Sequence, residues 1–257
     1  MLERQWWGPL PLQPGAMVRI GPSRIWFQRR PTELRVAIHT LSDPISSGLE
    51  RTLALDMAEP PPDFRLHRFA ADEQSGPLQL MPLLADRPVV ARPTHPFTMP
   101  PDSEVTVFIS TALWVELSLA GALIALPLYR MSDTWFGRST IEGGLCYAMR
   151  TALRMSLADI PRRPHRAITA VHINNRGPDC LPIHRIRLPV QHLALFADGA
   201  GELWTEALEM TRQDAGEASI SLLGGPPAVA GATVAVSLPR SLPEDHRLLQ
   251  KITSFLP

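Results

Sequence analysis

From Leu145 to Leu157 the odd positions read Leu, Tyr, Met, Thr, Leu, Met, Leu, and the even ones Cys, Ala, Arg, Ala, Arg, Ser. This period of two is the signature of a half-buried strand. It predicts Tyr147, Met149, Leu153 and Met155 on the buried face, with Arg150 and Arg154 together on the other. Ala, Leu, Met and Arg also form helices well, and a helix brings the same two arginines together at i,i+4. The strand-rich surroundings decide for a strand.

Shorter alternations recur along the chain. "MVRIG" (17–21), "RIWFQR" (24–29) and "ELRVAIHT" (33–40) predict a three-stranded meander with a turn at "GPS". "EVTVFIST" (104–111), "LWVELSL" (113–119) and "ALIALPLY" (122–129) carry the middle third. "AITAVHINN" (167–175), "CLPIHRIRLPV" (180–190), "ASISLLG" (218–224) and "TVAVSLP" (233–239) follow. The clearest hairpin spans 193–210, turning at Asp198-Gly199. Residues 58–77 are polar and proline-rich and read as a long loop or linker, whereas Leu248, Leu249, Ile252 and Phe255 have helical spacing.

The 27 prolines are spread throughout, which keeps elements short and argues against helices. The expected fold is mainly β, one or two antiparallel β-sandwich domains with short helical additions. The expected division is an N-terminal β region with the proline-rich loop (1–100) and a C-terminal β-sandwich region (101–257), with a boundary near 160 as the alternative. Val105–Tyr129 holds one charge, Glu116, in 25 residues. A charge at mid-span costs about 2.5–3.5 kcal/mol on insertion scales, and the alternation there is that of strands, so no transmembrane segment is expected.

Lys+Arg and Asp+Glu both number 25, which gives no basic surplus for nucleic acid. "PRRPHR" (161–166) is a local surplus and reads as a solvated basic loop. Lys251 is the only lysine, which removes Schiff-base and P-loop chemistry. Cys146 and Cys180 are too few for a disulfide framework or a four-thiolate metal site. Their usage fits a reducing compartment, and no signal-peptide pattern opens the chain. A cytoplasmic location is the expectation.

The densest chemistry lies in "SDTWFGRSTIEGGLCY" (132–147). A ligand-binding pocket for an anion or sugar would use Asp133 or Glu142 as carboxylate and Trp135 as stacking platform. Arg138, Arg150, Arg154, His165 and Arg166 would supply cationic contacts. The alternative is a tight turn whose aromatics plug the core and whose charges pair. No G-x-S-x-G elbow supports a nucleophile, so no catalytic residue is assigned. His165, His172, His184 and His192 match no zinc spacing, although His172 and His184 would meet if their strands formed a hairpin. No metal or other cofactor is expected. Trp6 and Trp7 read as a core staple, with a partner-facing or sugar-stacking surface as the alternative; Trp204 is a second candidate for sugar stacking.

The ordered set "IGPSRIWFQR", "PFTMPPDSEVTVFISTALWVEL", "RMSDTWFGRSTIEGGLCYAMRT", "RPHRAITAVHINN" and "LPIHRIRLPVQHLALF" resembles an uncharacterised prokaryotic family, a domain of unknown function. The likeness runs from about residue 17 to residue 240, and "SDTWFG" with "RPHRAIT" is its most specific part. Ala112 stands where the family pattern has proline. Some members of that family are encoded beside small mechanosensitive channels, so the resemblance implies a protein partner in a membrane channel complex. The expected function is a soluble, non-enzymatic binding or accessory protein. The alternative is an anion- or sugar-binding or hydrolytic protein using the pocket at 132–166.

Overall fold

The computed structural model describes residues 5–10, 15–41, 48–53, 59–71, 76–137, 141, 143–214, 217–242 and 247–250. Among them there are 23 strands and three single 3-10 turns, and no α-helix. The protein is mainly β, as the alternation and the prolines predict, and its helical additions shrink to those turns. No helix among the described residues is long and apolar enough to cross a membrane.

The chain forms two compact units, neither continuous in sequence. The first comprises Met1–Leu83, Leu113–Arg130 and Arg163–His165, and the second the remainder.

Two wholly antiparallel sheets build the first unit. One has five strands in the order Leu49–Leu53, Gly15–Ile20, Ser23–Arg30, Glu33–Thr40 and Arg65–Ala70. The other has four: Gly8–Leu10, Leu78–Leu83, Trp114–Leu119 and Ala122–Pro127. Leu34, Val36 and Phe69 of the first sheet line a small apolar cavity with Leu78, Leu117, Leu119 and Ile124 of the second. This shared apolar interior is the core of a sandwich.

The meander predicted for residues 17–40 is present, and its first turn is tightly specified. Gly21 has a φ of +58°, and a Cβ there would collide with the imidazole of His165. Only glycine meets both demands. Trp6 is fully buried and donates from Nε1 to Pro164 O at 2.7 Å. It is the core staple, packed edge-on against Trp7 with ring centroids 6.0 Å apart.

The second unit is organised around the strand Arg166–Asn175. Ser103–Ala112 pairs with it over ten residues, antiparallel. Leu203–Thr205 and Leu208–Asp214 lie parallel along its other edge. The sheet continues through Leu195–Asp198 to Thr233–Ser237, and through Glu217–Leu222 to Arg247–Gln250. A second sheet has the order Ser132–Gly137, Gly143–Leu153, Val89–Pro93 and Ile186–Leu188. Its central pair, Gly143–Leu153 with Val89–Pro93, is parallel. The pairing is therefore antiparallel with parallel exceptions, which short alternations cannot reveal. The hairpin at Asp198-Gly199 forms as predicted. Asp198 holds it by accepting from the Ala200 and Glu202 amides and from Trp204 Nε1.

Several expectations fail for identifiable reasons. The supposed linker contains the edge strand Arg65–Ala70. Its polar look comes from an open outer face, where Arg68 reaches Glu33 at 2.6 Å. Part of the expected C-terminal helix, Arg247–Gln250, is a strand paired with Glu217–Leu222; the rest of that tail lies outside the described residues. "PRRPHR" is not a solvated loop, because His165 and Arg166 are buried and Arg162 lies 5.3 Å over the Trp204 ring. The long strand over 145–157 ends at Leu153. Met149 and Leu153 are buried as predicted, Tyr147 is half-buried, and Met155, beyond the strand's end, is exposed.

One local conflict yields a prediction. The turn between Leu119 and Ala122 has positive φ at both central residues, Ala120 (47°) and Gly121 (84°). That is the geometry of a hairpin turn that favours Asn-Gly. Ala120→Asn is expected to raise unfolding stability by up to about 1 kcal/mol, the scale of the left-handed penalty on a Cβ. Chemical denaturation checks it; an unchanged or lowered midpoint contradicts it.

Candidate functional site

Ser132–Gly137 and Gly143–Leu153 form an antiparallel hairpin at the edge of the second unit's four-stranded sheet. Asp133 stands opposite Tyr147 and Trp135 opposite Leu145. Period-two alternation puts all four on one face. On it Trp135 is 42% exposed and Leu145 46%. The indole lies over Gly143, where a Cβ would come within 2.7 Å of Nε1. The adjacent Phe136 takes the opposite face and stacks with the Arg185 guanidinium at 4.8 Å. Buried Cys146 shares that opposite face.

A polar network borders the exposed pair. The Tyr147 hydroxyl donates to Asp86 Oδ1 at 2.9 Å. Arg87 reaches Asp133 at 3.5 Å and lies 5.3 Å from the Tyr147 ring centroid. Burial, then the hydrogen bond to Asp86, pushes the Tyr147 phenol above its ordinary value. The Arg87–Asp133 pair is solvent-facing and contributes little stability; it fixes side-chain direction more than it holds the fold.

The other candidates lie elsewhere. Arg138 and Glu142 are outside the described residues. Arg150 lies within the strand Gly143–Leu153. Arg154, just past it, makes an isolated bridge to Phe108, with N···O distances of 2.7 and 3.0 Å. Arg166 is buried and donates from Nη1 to Ser110 O at 2.8 Å. His165 belongs to the first unit and packs on Gly21. The structure thus brings Asp133 and Trp135 together, and adds Arg87, Leu145 and Tyr147. Asp86 and Arg87 carry no motif; their only sequence signal is an Asp-Arg-Pro turn ahead of an apolar run.

Two further alternatives resolve. Trp204 is 2% exposed, so its face is not offered to a sugar. His172 and His184 do not meet across a hairpin, because the strand carrying His172 pairs with Ser103–Ala112. His172 instead bonds Thr106 Oγ1 at 2.8 Å.

The chain belongs to the family described as Protein of unknown function (DUF432), whose sequence model matches residues 6–256. No curated protein and no solved structure matches it.

Two measurements check this geometry. The chain has two tyrosines, so ultraviolet titration resolves them, and Tyr147 is expected to ionise above the ordinary tyrosine value of about 10. Its raised value stabilises the fold fully below that pH, and the contribution is lost as pH rises through the folded value. Tyr147→Phe is expected to flatten that alkaline loss; an unchanged profile contradicts the assignment. Separately, Gly143→Ala is expected to displace the Trp135 indole and change its emission; unaltered fluorescence contradicts the close packing.

Proposed function

We propose that this DUF432 member is a non-enzymatic binding or accessory protein that docks a protein partner on the Trp135 face of its edge hairpin. One observation carries the reading: Trp135 and Leu145 stand side by side, each nearly half exposed, bordered by Arg87, Asp133 and Tyr147. Interface centres are enriched in Trp, Tyr and Arg, because these groups release much apolar surface from water while keeping a directional polar contact. Ser132–Gly137 is also the outermost strand of its sheet. An outermost strand can accept a partner's strand through its backbone. Cytoplasmic location and a membrane channel complex as partner belong to the same proposal; thiol usage and the family resemblance support them.

The test is quantitative capture of partner from solubilised native-host membranes by tagged protein. Trp135→Ser with Leu145→Ser is expected to keep its circular dichroism and thermal midpoint and to weaken capture at least tenfold, as loss of a central aromatic does. Arg24→Ala, on an exposed position of the first unit, serves as control. Undiminished capture by the double variant overturns the reading.

A further inference from the structure

The eight-stranded sheet of the second unit ends in Thr233–Ser237. One edge of this strand pairs with Leu195–Asp198. Its other edge pairs with no strand among the described residues. Such an edge holds a row of backbone N–H and C=O groups that a further strand can take up, and proteins commonly guard it with charged side chains or proline. This strand, Thr-Val-Ala-Val-Ser, has neither, and no charged residue lies between Glu217 and Arg240. A bulge at Val236, where the register to Leu195 and Phe196 shifts, adds twist but leaves the edge uncharged. Side chains on both faces are open. Val234 is 65% exposed, and Ala235, which points to the opposite face, is exposed as well. Leu238, just past the strand, is 81% exposed.

The order of the residues says which strand fits this edge. Read from either end, the five positions run hydroxyl, Val, Ala, Val, hydroxyl. An antiparallel strand of the same sequence, centred on Ala235, sets Val234 opposite Val236, Ala235 opposite Ala235 and Thr233 opposite Ser237. Carrying that register one residue further sets Leu238 opposite the exposed Ala232. β-Branched apolar residues then face one another and hydroxyls face hydroxyls, pairings that suit neighbouring strands. No like charges meet, because the strand has none. A two-fold dimer requires that residue i meet j while j meets i. An unrelated strand would match this pattern only by chance, whereas a second copy matches it by symmetry. The contact is small beside the interface of a permanent dimer, so the association is reversible and depends on concentration.

We propose that two copies of the chain pair antiparallel through Thr233–Ser237, across a two-fold axis at Ala235, and join their eight-stranded sheets edge to edge. This surface belongs to a different sheet from Trp135, and its test does not depend on the docking proposal.

Sedimentation velocity of the full chain over a wide concentration range is the test. The wild type is expected to shift reversibly from monomer to dimer as concentration rises. Ala235→Lys, at an exposed position, is expected to keep the circular dichroism and thermal midpoint of the wild type and to lose the dimer, since like charges then face each other directly. Ala235→Glu is expected to do the same. An equimolar mixture of the two variants is expected to regain the dimer, because opposite charges then meet. Leu66→Lys, at an exposed position on the edge strand Arg65–Ala70 of the first unit, is expected to dimerise as the wild type does. So is the double variant Trp135→Ser with Leu145→Ser, which separates this surface from the docking face. A wild type that stays monomeric throughout, a dimer indifferent to Ala235→Lys, or a mixture that fails to pair overturns the proposal.

Discussion

The ten-residue pairing of Ser103–Ala112 with Arg166–Asn175 is the constraint on which the second unit rests. Arg166–Asn175 is hydrogen-bonded along both edges and is buried at every position but two, His172 and Asn174. A strand in that position must satisfy every polar group internally. Several of its side chains, and those around it, make buried hydrogen bonds of their own. The hydroxyls of Thr111, Thr169 and Thr205 line up at 3.1 and 3.0 Å. Asn175 reaches the carbonyls of Pro100 and Asp179 at 2.8 and 2.9 Å, and Arg212 also donates to Asp179 O at 2.9 Å. A buried polar network of this kind fixes register, since a slip of one residue would orphan all of its members at once.

The candidate surface sits on the sheet beside this spine. The bridge between Phe108 and Arg154 joins the end of the strand Gly143–Leu153 to Ser103–Ala112. The hairpin's supported end is thus fixed, while its other end carries Trp135 and Leu145 into solvent. The burial gradient along the strand follows: Leu145 is exposed, Tyr147 half-buried, and Met149 and Leu153 buried. Apolar groups presented on a rigid edge bind with little ordering cost.

Much of the fold was legible in the sequence, and the failures are instructive. The meander, the Asp198-Gly199 hairpin and the strand after "SDTWFG" follow from alternation and turn chemistry, both local signals. Arg65–Ala70 was hidden because an edge strand with an open outer face looks polar. The parallel pairings were hidden because they join segments far apart in sequence. In "PRRPHR", charge density suggested solvent, yet Arg166 is buried and donates to Ser110 O, a tertiary contact that composition does not encode. Of the candidate site, Asp133 and Trp135 were legible as chemistry. Arg87 and Tyr147 join them only through pairing register.

Residue-resolved amide hydrogen exchange, on the protein alone and with native-host membrane extract, tests the central claim most directly. The account predicts that Arg166–Asn175 exchanges slowest in both conditions. It predicts that the amides of Ser132–Gly137 are fast in the isolated protein and slow sharply when extract is added. If Ser132–Gly137 is unaffected by extract while another surface gains protection, the hairpin is not the docking face. If Arg166–Asn175 exchanges as fast as the edge strands, it is not the spine of its unit.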